Sequence, residues 1–233
     1  MNKLKTIFLI ICTLFSMRSV LAQTVDEIVA NHINAMGGAD KLLSLNTVRM
    51  HGSLTTQGTD VAITITKSHL IGLRVDISVM GTENYQIITQ EKGIAFMPIQ
   101  GMSEPTDMPD EQFKAGQIQL DIQDALLNYK EKGTGVEFIG REKVNGEDNF
   151  RLRLTYKNGI VTDYFISSNN YMVTKTSGKR TMNGEQMDIE TTYSNYKQNA
   201  DGYWFPYTTS TMQGETNYDK IETNIAVDPG IFK

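Results

Sequence analysis

Two periods of apolar residues run along this 233-residue chain. Over residues 24–36, TVDEIVANHINAM, the positions Val25, Ile28, Val29, His32, Ile33 and Met36 fall on one stripe at helical spacing. Thr24 and Glu27 have the spacing of a capping box at its start. Gly37-Gly38 ends it, because glycine takes the left-handed cap conformation cheaply. Asp40, just before KLLSL, reads as the cap of a second, short helix.

After Thr47 the period becomes two. VRMHGSL puts Val48, Met50 and Leu54 on one face, VAITITK does the same with Val61, Ile63 and Ile65, and LRVDISV with Leu73, Val75, Ile77 and Val79. Strands around 84–90 and 94–99, split by EKG, complete a five-strand meander. Residues 101–134 interrupt the alternation, and PDEQFKAGQIQ and DIQDALLNYKEKG within them read as helices. Beyond them, NFRLRLTY, IVTDYFI, YMVTKTSGKRT, EQMDIETTYSNY, YWFPYTTSTM and NYDKIETNIAV are six further strand segments, separated by turn signals such as VNGED, KNG and NADG. About eleven short strands joined by hairpins curl into a strongly bent antiparallel sheet. The fold class is α+β, mostly antiparallel β, with no internal repeat and no interdomain linker.

The first 22 residues stand apart. Lys3 and Lys5, the apolar run Ile7–Phe15 and the small Ala22 after VL have the form of a secretory signal, too short to span a bilayer. Cleavage after Ala22 leaves residues 23–233 as one domain in an extracytoplasmic compartment, with no apolar stretch of transmembrane length. The single cysteine, Cys12, lies in the leader, so the domain holds itself up without disulfides. The leader carries three of the 22 basic residues and none of the 27 acidic ones, so the rest has a net charge of −8. That charge argues against nucleic acid or an anionic membrane surface as partner.

Catalytic chemistry finds little support. His32 lies on the apolar helix stripe with no partners at zinc-motif spacing, which marks a core histidine rather than a ligand. His51 is on a polar strand face and His69 in a turn. Gly37-Gly38 follows a helix, whereas a phosphate loop follows a strand. No serine or cysteine sits in a nucleophile elbow. Asp26-Glu27 and Asp110-Glu111 occupy helix starts, where the macrodipole explains them. Arg141, Arg151, Arg153 and Arg180 read as solvated sheet face. No catalytic residue, metal ligand or cofactor is assigned. Ten of the twelve methionines lie beyond the leader, and methionine suits surfaces that adapt to varied apolar partners as well as ordinary cores.

The order of leader, helix, glycine corner, GSL, a lysine-led turn, an aliphatic strand and the hairpin EKGIAFMP resembles the LolA-like periplasmic carriers of bacterial outer-membrane lipoproteins. Within them it is most similar to the outer-membrane lipoprotein-sorting group. Gln90-Glu91-Lys92-Gly93, Phe96 and Met97-Pro98 stand where that group has Asp-Gly-Lys, an aromatic residue and Asn-Pro. YKEKG at 129–133, SGKRTMNGE at 177–185, YWFP at 203–206 and VDPGIF at 227–232 are similar too. The chain departs from the pattern at Lys67-Ser68-His69, which puts Ser68 where the carriers have a lid-latching arginine. The tryptophan usual in the hairpin is also missing.

The resemblance implies an open half-barrel of about eleven strands with helices as a lid over an apolar cavity. It implies a cofactor-free monomer that shields acyl chains of lipoproteins or other lipids between an inner-membrane exporter and an outer-membrane acceptor. The alternating faces then assign the cavity to Met50, Leu54, Ile63, Ile65, Val75, Ile77, Val79, Ile87 and Phe96, and the lid to Val25, Ile28 and Leu126. A non-catalytic envelope binding or sensing module that contacts a protein partner is the alternative on the same fold.

Overall fold

The structure is a computed structural model that describes residues 24–56, 58–182 and 185–233. The proposed secretory signal lies outside these residues. The chain opens with α1 (Val25–Ala35) and α2 (Ala39–Leu43). Thr24 Oγ1 accepts from the Glu27 backbone N–H, and the Glu27 carboxylate accepts from the Thr24 N–H, which completes the capping box. Gly37 and Gly38, at φ +110° and +90°, turn the chain into α2. The cap of α2 is Gly38, not Asp40, which sits in the first turn where its charge favours the helix dipole.

Thirteen strands follow: β1 (Thr47–Thr56), β2 (Thr59–Ser68), β3 (Gly72–Val79), β4 (Thr82–Thr89), β5 (Gly93–Phe96), β6 (Thr106–Asp107), β7 (Gly135–Val144), β8 (Glu147–Thr155), β9 (Val161–Ser167), β10 (Val173–Met182), β11 (Glu185–Gln198), β12 (Trp204–Thr211) and β13 (Gly214–Thr223). They form one antiparallel sheet in the order β6-β5-β4-β3-β2-β1-β13-β12-β11-β10-β9-β8-β7. The sheet is therefore two meanders joined where β1 pairs with β13, from Val48 opposite Thr223 to Thr55 opposite Glu215. It is not closed, because β6 and β7 are its two edges. The two strands beyond the eleven expected are β6, only two residues long, and β7, whose VEFIGREKV lacks clean alternation because it is a largely exposed edge.

The segment between β6 and β7 runs from one edge to the other. It begins with α3 (Asp110–Gln117), continues as a 3₁₀ turn over Ile118–Leu120 and then passes through successive turns to Gly133. The helix expected over DIQDALLNYKEKG does not form. Asp124 and Asn128 take positive φ, +86° and +51°, which breaks a right-handed helix at both places.

The register sorts the faces. Met50 lies beside Ile65 and Ile221, Ile65 beside Val75, Ile63 beside Ile77, and Leu54 beside Val61. Adjacent partners share a face, so Met50, Leu54, Ile63, Ile65, Val75, Ile77 and Val79 all point to the concave side. Ile87 lies beside Arg74, and Phe96 beside Tyr85, in the opposite phase. Their assignment to the cavity is corrected: both face the convex side. The tandem Ile87-Ile88 puts one isoleucine on each face, and alternation alone cannot choose between them. Ile87 is nonetheless buried, in a region where the C-terminal turn (Pro229–Phe232) lies against β3 and β4, with Phe232 over Gly72 and Arg74 Nη1 donating to the Ile231 carbonyl at 3.1 Å.

Two apolar clusters cover the ends of the concave face. At one end α1 and the 124–129 turns pack on β8–β10, where Ile28, Leu126, Leu152, Leu154 and Ile166 are fully buried. At the other, Met108 just before α3, Phe113 of α3 and Leu120 of the 3₁₀ turn pack onto Leu73 and Ile88. Each fully buried side chain of this size contributes about 1.5–3 kcal/mol.

Candidate functional site

Between the two clusters the concave face stays open as a hollow of about 590 Å³. That is within the ~300–1,000 Å³ range of small-molecule sites. Met50 and Ile65 supply its sheet side, and Leu42, Leu45, Ile118 and Ile122 come from the helical and insert segments. The remaining proposed cavity residues, Leu54, Ile63, Val75, Ile77 and Val79, share the concave face but do not line this hollow. Val25, Ile28 and Leu126 lie in the α1 cluster, with Val25 only partly buried. Ala125 and Asp124, next to Leu126, reach the hollow instead.

The far wall is aromatic and hydroxylic. Tyr164, Tyr193, Tyr218 and Trp204 line it with Thr162, Thr176 and Thr191. The Tyr164 and Tyr156 hydroxyls are 3.1 Å apart, and Tyr193 meets Thr176 Oγ1 at 3.1 Å. Burial pushes the Tyr164 and Tyr193 phenols up, so both stay neutral donors. Residues 162, 164, 176, 191 and 193 sit in the inward phase of β9–β11, where the register pairs Tyr164 with Thr176 and Thr176 with Thr191. Sequence reasoning passed over them because threonine and tyrosine suit either face of a strand.

Four charged residues open onto the hollow: Asp121, Asp124, Lys67 and Arg180. The two acids are engaged. His32, 1% exposed, donates from Nδ1 to the Tyr171 carbonyl at 2.7 Å and from Nε2 to Asp124 Oδ2 at 2.9 Å. Both ring nitrogens face acceptors, so the imidazolium satisfies the site. Burial pulls the His32 pKa down, but the Asp124 charge, its hydrogen bond and the Tyr171 carbonyl outweigh it and leave the pKa raised. Burial pushes Asp124 up, yet His32, the Leu126 N–H and Lys132 together leave it lowered. Lys132 pairs with Asp121 at 2.5 Å, and His69 Nδ1 lies 3.7 Å from the same carboxylate. These contacts, with Gln123 Nε2 donating to the Leu43 and Leu45 carbonyls, stitch the insert to α1, the α2 corner and the β2–β3 turn.

Lys67 is different. It pairs with Val48 and Leu73, both 3% exposed, so it occupies an inward position of β2. Among the described residues no carboxylate lies within ion-pairing distance of its amine and no hydrogen bond holds it. Burial alone pushes its pKa down to about 8. The signal was present in the sequence, since Lys67 continues the phase of Val61, Ile63 and Ile65.

Arg180 is also corrected from solvated face to hollow wall. Its guanidinium donates only to neutral oxygens: the Lys179 carbonyl at 2.8 Å, the Val161 carbonyl at 3.2 Å and Thr162 Oγ1 at 3.2 Å. Arg151 and Arg153 remain on the convex side, where both clamp Asp163, and Arg151 and Lys175 lie over Phe165. Ser68, at the latch position of the resemblance, is a buried β2 residue paired with Thr47 and Gly72. Among the described residues no group of three or more His, Cys, Asp or Glu side chains is placed to hold a metal ion.

No protein-family model and no curated protein matches the chain. Solved structures do. A LolA superfamily protein from Nitrosomonas europaea superposes with a TM-score of 0.56 at 13% identity, covering 91% of this chain and 98% of that one. A putative outer membrane lipoprotein-sorting protein domain from Vibrio parahaemolyticus gives 0.52 at 16% identity, over 88% and 94% of the two chains. A DUF1329 family protein from Desulfovibrio piger gives 0.51 at 10% identity, over 90% and 97%.

Proposed function

From the premise that the chain has the LolA-like fold, we propose that it is a periplasmic carrier that binds acyl chains of lipoproteins or other lipids and takes them towards the outer membrane. It acts as one domain over 23–233, exported by residues 1–22, monomeric, non-enzymatic and without cofactor. An inner-membrane exporter would load it and an outer-membrane acceptor unload it. The observation that carries this reading is the 590 Å³ hollow between a bent sheet and a helical insert, with Met50, Ile65, Ile118 and Ile122 ready to meet hydrocarbon. Each methylene buried there contributes about 0.8 kcal/mol, so part of a chain gives useful affinity. Among the described residues no helix is long and apolar enough to cross a membrane. The helical segments that cover the concave face fit a lid that yields to cargo.

Native mass spectrometry of the protein purified from periplasm tests this. Lipid adducts, and displacement of a fluorescent fatty acid by added lipid, are expected. Repeated recovery of lipid-free protein that binds no fatty acid probe refutes the reading. A second reading, a non-catalytic envelope module that contacts a protein partner, is favoured by one feature: the ten-residue edge β7, with Phe138 37% and Ile139 42% exposed. Such an edge accepts an added strand. A stoichiometric protein crosslinked to β7, with no lipid bound, would decide for it.

A further inference from the structure

We infer that the hollow selects an amphiphile with an anionic oxygen head, a carboxylate or phosphate, seated on Lys67 with its hydrocarbon along Met50, Ile65, Ile118 and Ile122. This rests on the carrier reading and names the class of cargo.

The charges of the hollow do not balance. Its two carboxylates are neutralised by the chain itself, Asp121 by Lys132 at 2.5 Å and Asp124 by His32 at 2.9 Å. Its two cations have no carboxylate within ion-pairing distance among the described residues, and Glu111 acts on Arg180 only from farther away. Arg180 donates to two carbonyls and a threonine hydroxyl, and its guanidinium folds back over Gly178, where a β-carbon would come within 2.9 Å of Nη1. Lys67 meets neither carboxylate nor hydrogen-bond acceptor among the described residues.

The two cations come from opposite arms of the sheet, with β1, β13, β12 and β11 between β2 and β10, yet they line the same space. The result is a positive interior in a chain with a formal charge of −5. Positive walls of low polarizability focus attraction on an anion. A desolvated ammonium is costly unless paired, so a head group that accepts from Nζ relieves a penalty as well as adding a bond. A neutral hydroxyl can also accept from Nζ but leaves the charge uncompensated, so it relieves less. The apolar residues beside Lys67, Ile65 on the same strand and Met50 on the next, continue the surface from the head position into hydrocarbon contact.

The test is displacement of a fluorescent fatty acid probe from the purified protein by hexadecanoic acid, hexadecyl phosphate and hexadecanol, with acetate and inorganic phosphate as chain-free anions. The acid and the alkyl phosphate should compete about tenfold or more better than the alcohol, the ratio expected when an ion pair at Lys67 takes the place of a hydrogen bond to a neutral hydroxyl. Lys67→Met and Lys67→Gln should bring that ratio close to one, and Lys67→Arg should keep most of it. Equal competition by acid and alcohol on the unmodified protein overturns the inference but leaves the carrier reading standing. Preservation of the ratio in Lys67→Gln overturns it too. Competition by acetate or phosphate as strong as by the chain-bearing anions replaces the amphiphile with a free anion. Failure of every chain to bind removes both this inference and the carrier reading.

Discussion

Lys67→Met should make the protein more stable, although it changes a long side chain on the inner face of the sheet. Methionine keeps most of the stem that lies between Val48 and Leu73 in register, and it removes the charge. The depression of the lysine pKa from 10.5 to about 8 measures what the fold spends to keep the ammonium. At about 1.4 kcal/mol per pKa unit this is about 3–4 kcal/mol, an upper value because the hollow admits solvent. We expect a gain of about 1–3 kcal/mol at pH 7, or about 2–4 °C in Tm for each kcal/mol. Below pH 8 the folded and unfolded chains are both protonated, so the unmodified protein bears the whole penalty. As the pH rises through 8 the folded state sheds its proton, the penalty fades, and by about 10.5 the charge-dependent part of the gain is gone. Urea denaturation of both proteins at pH 7 and pH 9.5 measures this. A variant less stable than its parent at pH 7, or a difference that does not shrink at pH 9.5, refutes the reasoning.

Two further outcomes follow from other contacts. By NMR the His32 imidazole should titrate with a midpoint above 6.5, and Asp124→Asn should lower that midpoint while costing about 3–5 kcal/mol, the loss expected when a buried pair is broken. The His32 contribution to stability is complete below pH 6.5 and is lost as pH rises through its raised pKa; that of Asp124 is complete above pH 3.8 and is lost as pH falls through its lowered pKa, so a midpoint below 6.5 for His32 contradicts the clamp. Gly52→Ala should cost about 1–3 kcal/mol, because the added β-carbon would overlap the Asn217 backbone carbonyl in the β1–β13 pairing, and unchanged thermal stability would show that the seam yields.

The fold was readable where one face of a strand is apolar and the other polar. Val61, Ile63 and Ile65 in β2 and Phe150, Leu152 and Leu154 in β8 announce both the strand and its inward side. Reading failed where that contrast is absent: at the exposed edge β7, at the tandem Ile87-Ile88, and at Phe96, which packs 5.4 Å from Tyr85 on the convex face. Local periodicity also could not show that Asp124 and Asn128 turn left-handed, because those conformations are held by the clamp to α1 and by the surrounding packing. The charged hollow was harder still. Its cations line one space although they come from different arms of the sheet, so no short window of sequence contains both Lys67 and Arg180.

The pairing of β1 with β13 sets a condition on how the molecule is made. Val48 acquires Thr223 only after every intervening residue has been synthesised. Until then β1 shows a bare row of donors and acceptors on that side, a template for any other extended chain nearby. Closing so long a loop is slow, although each doubling of its length adds only about 0.6 kcal/mol. The nascent polypeptide therefore has most need of a holding chaperone in the interval before its final hairpin arrives, and a chain that stops short of β13 keeps that hazard for good.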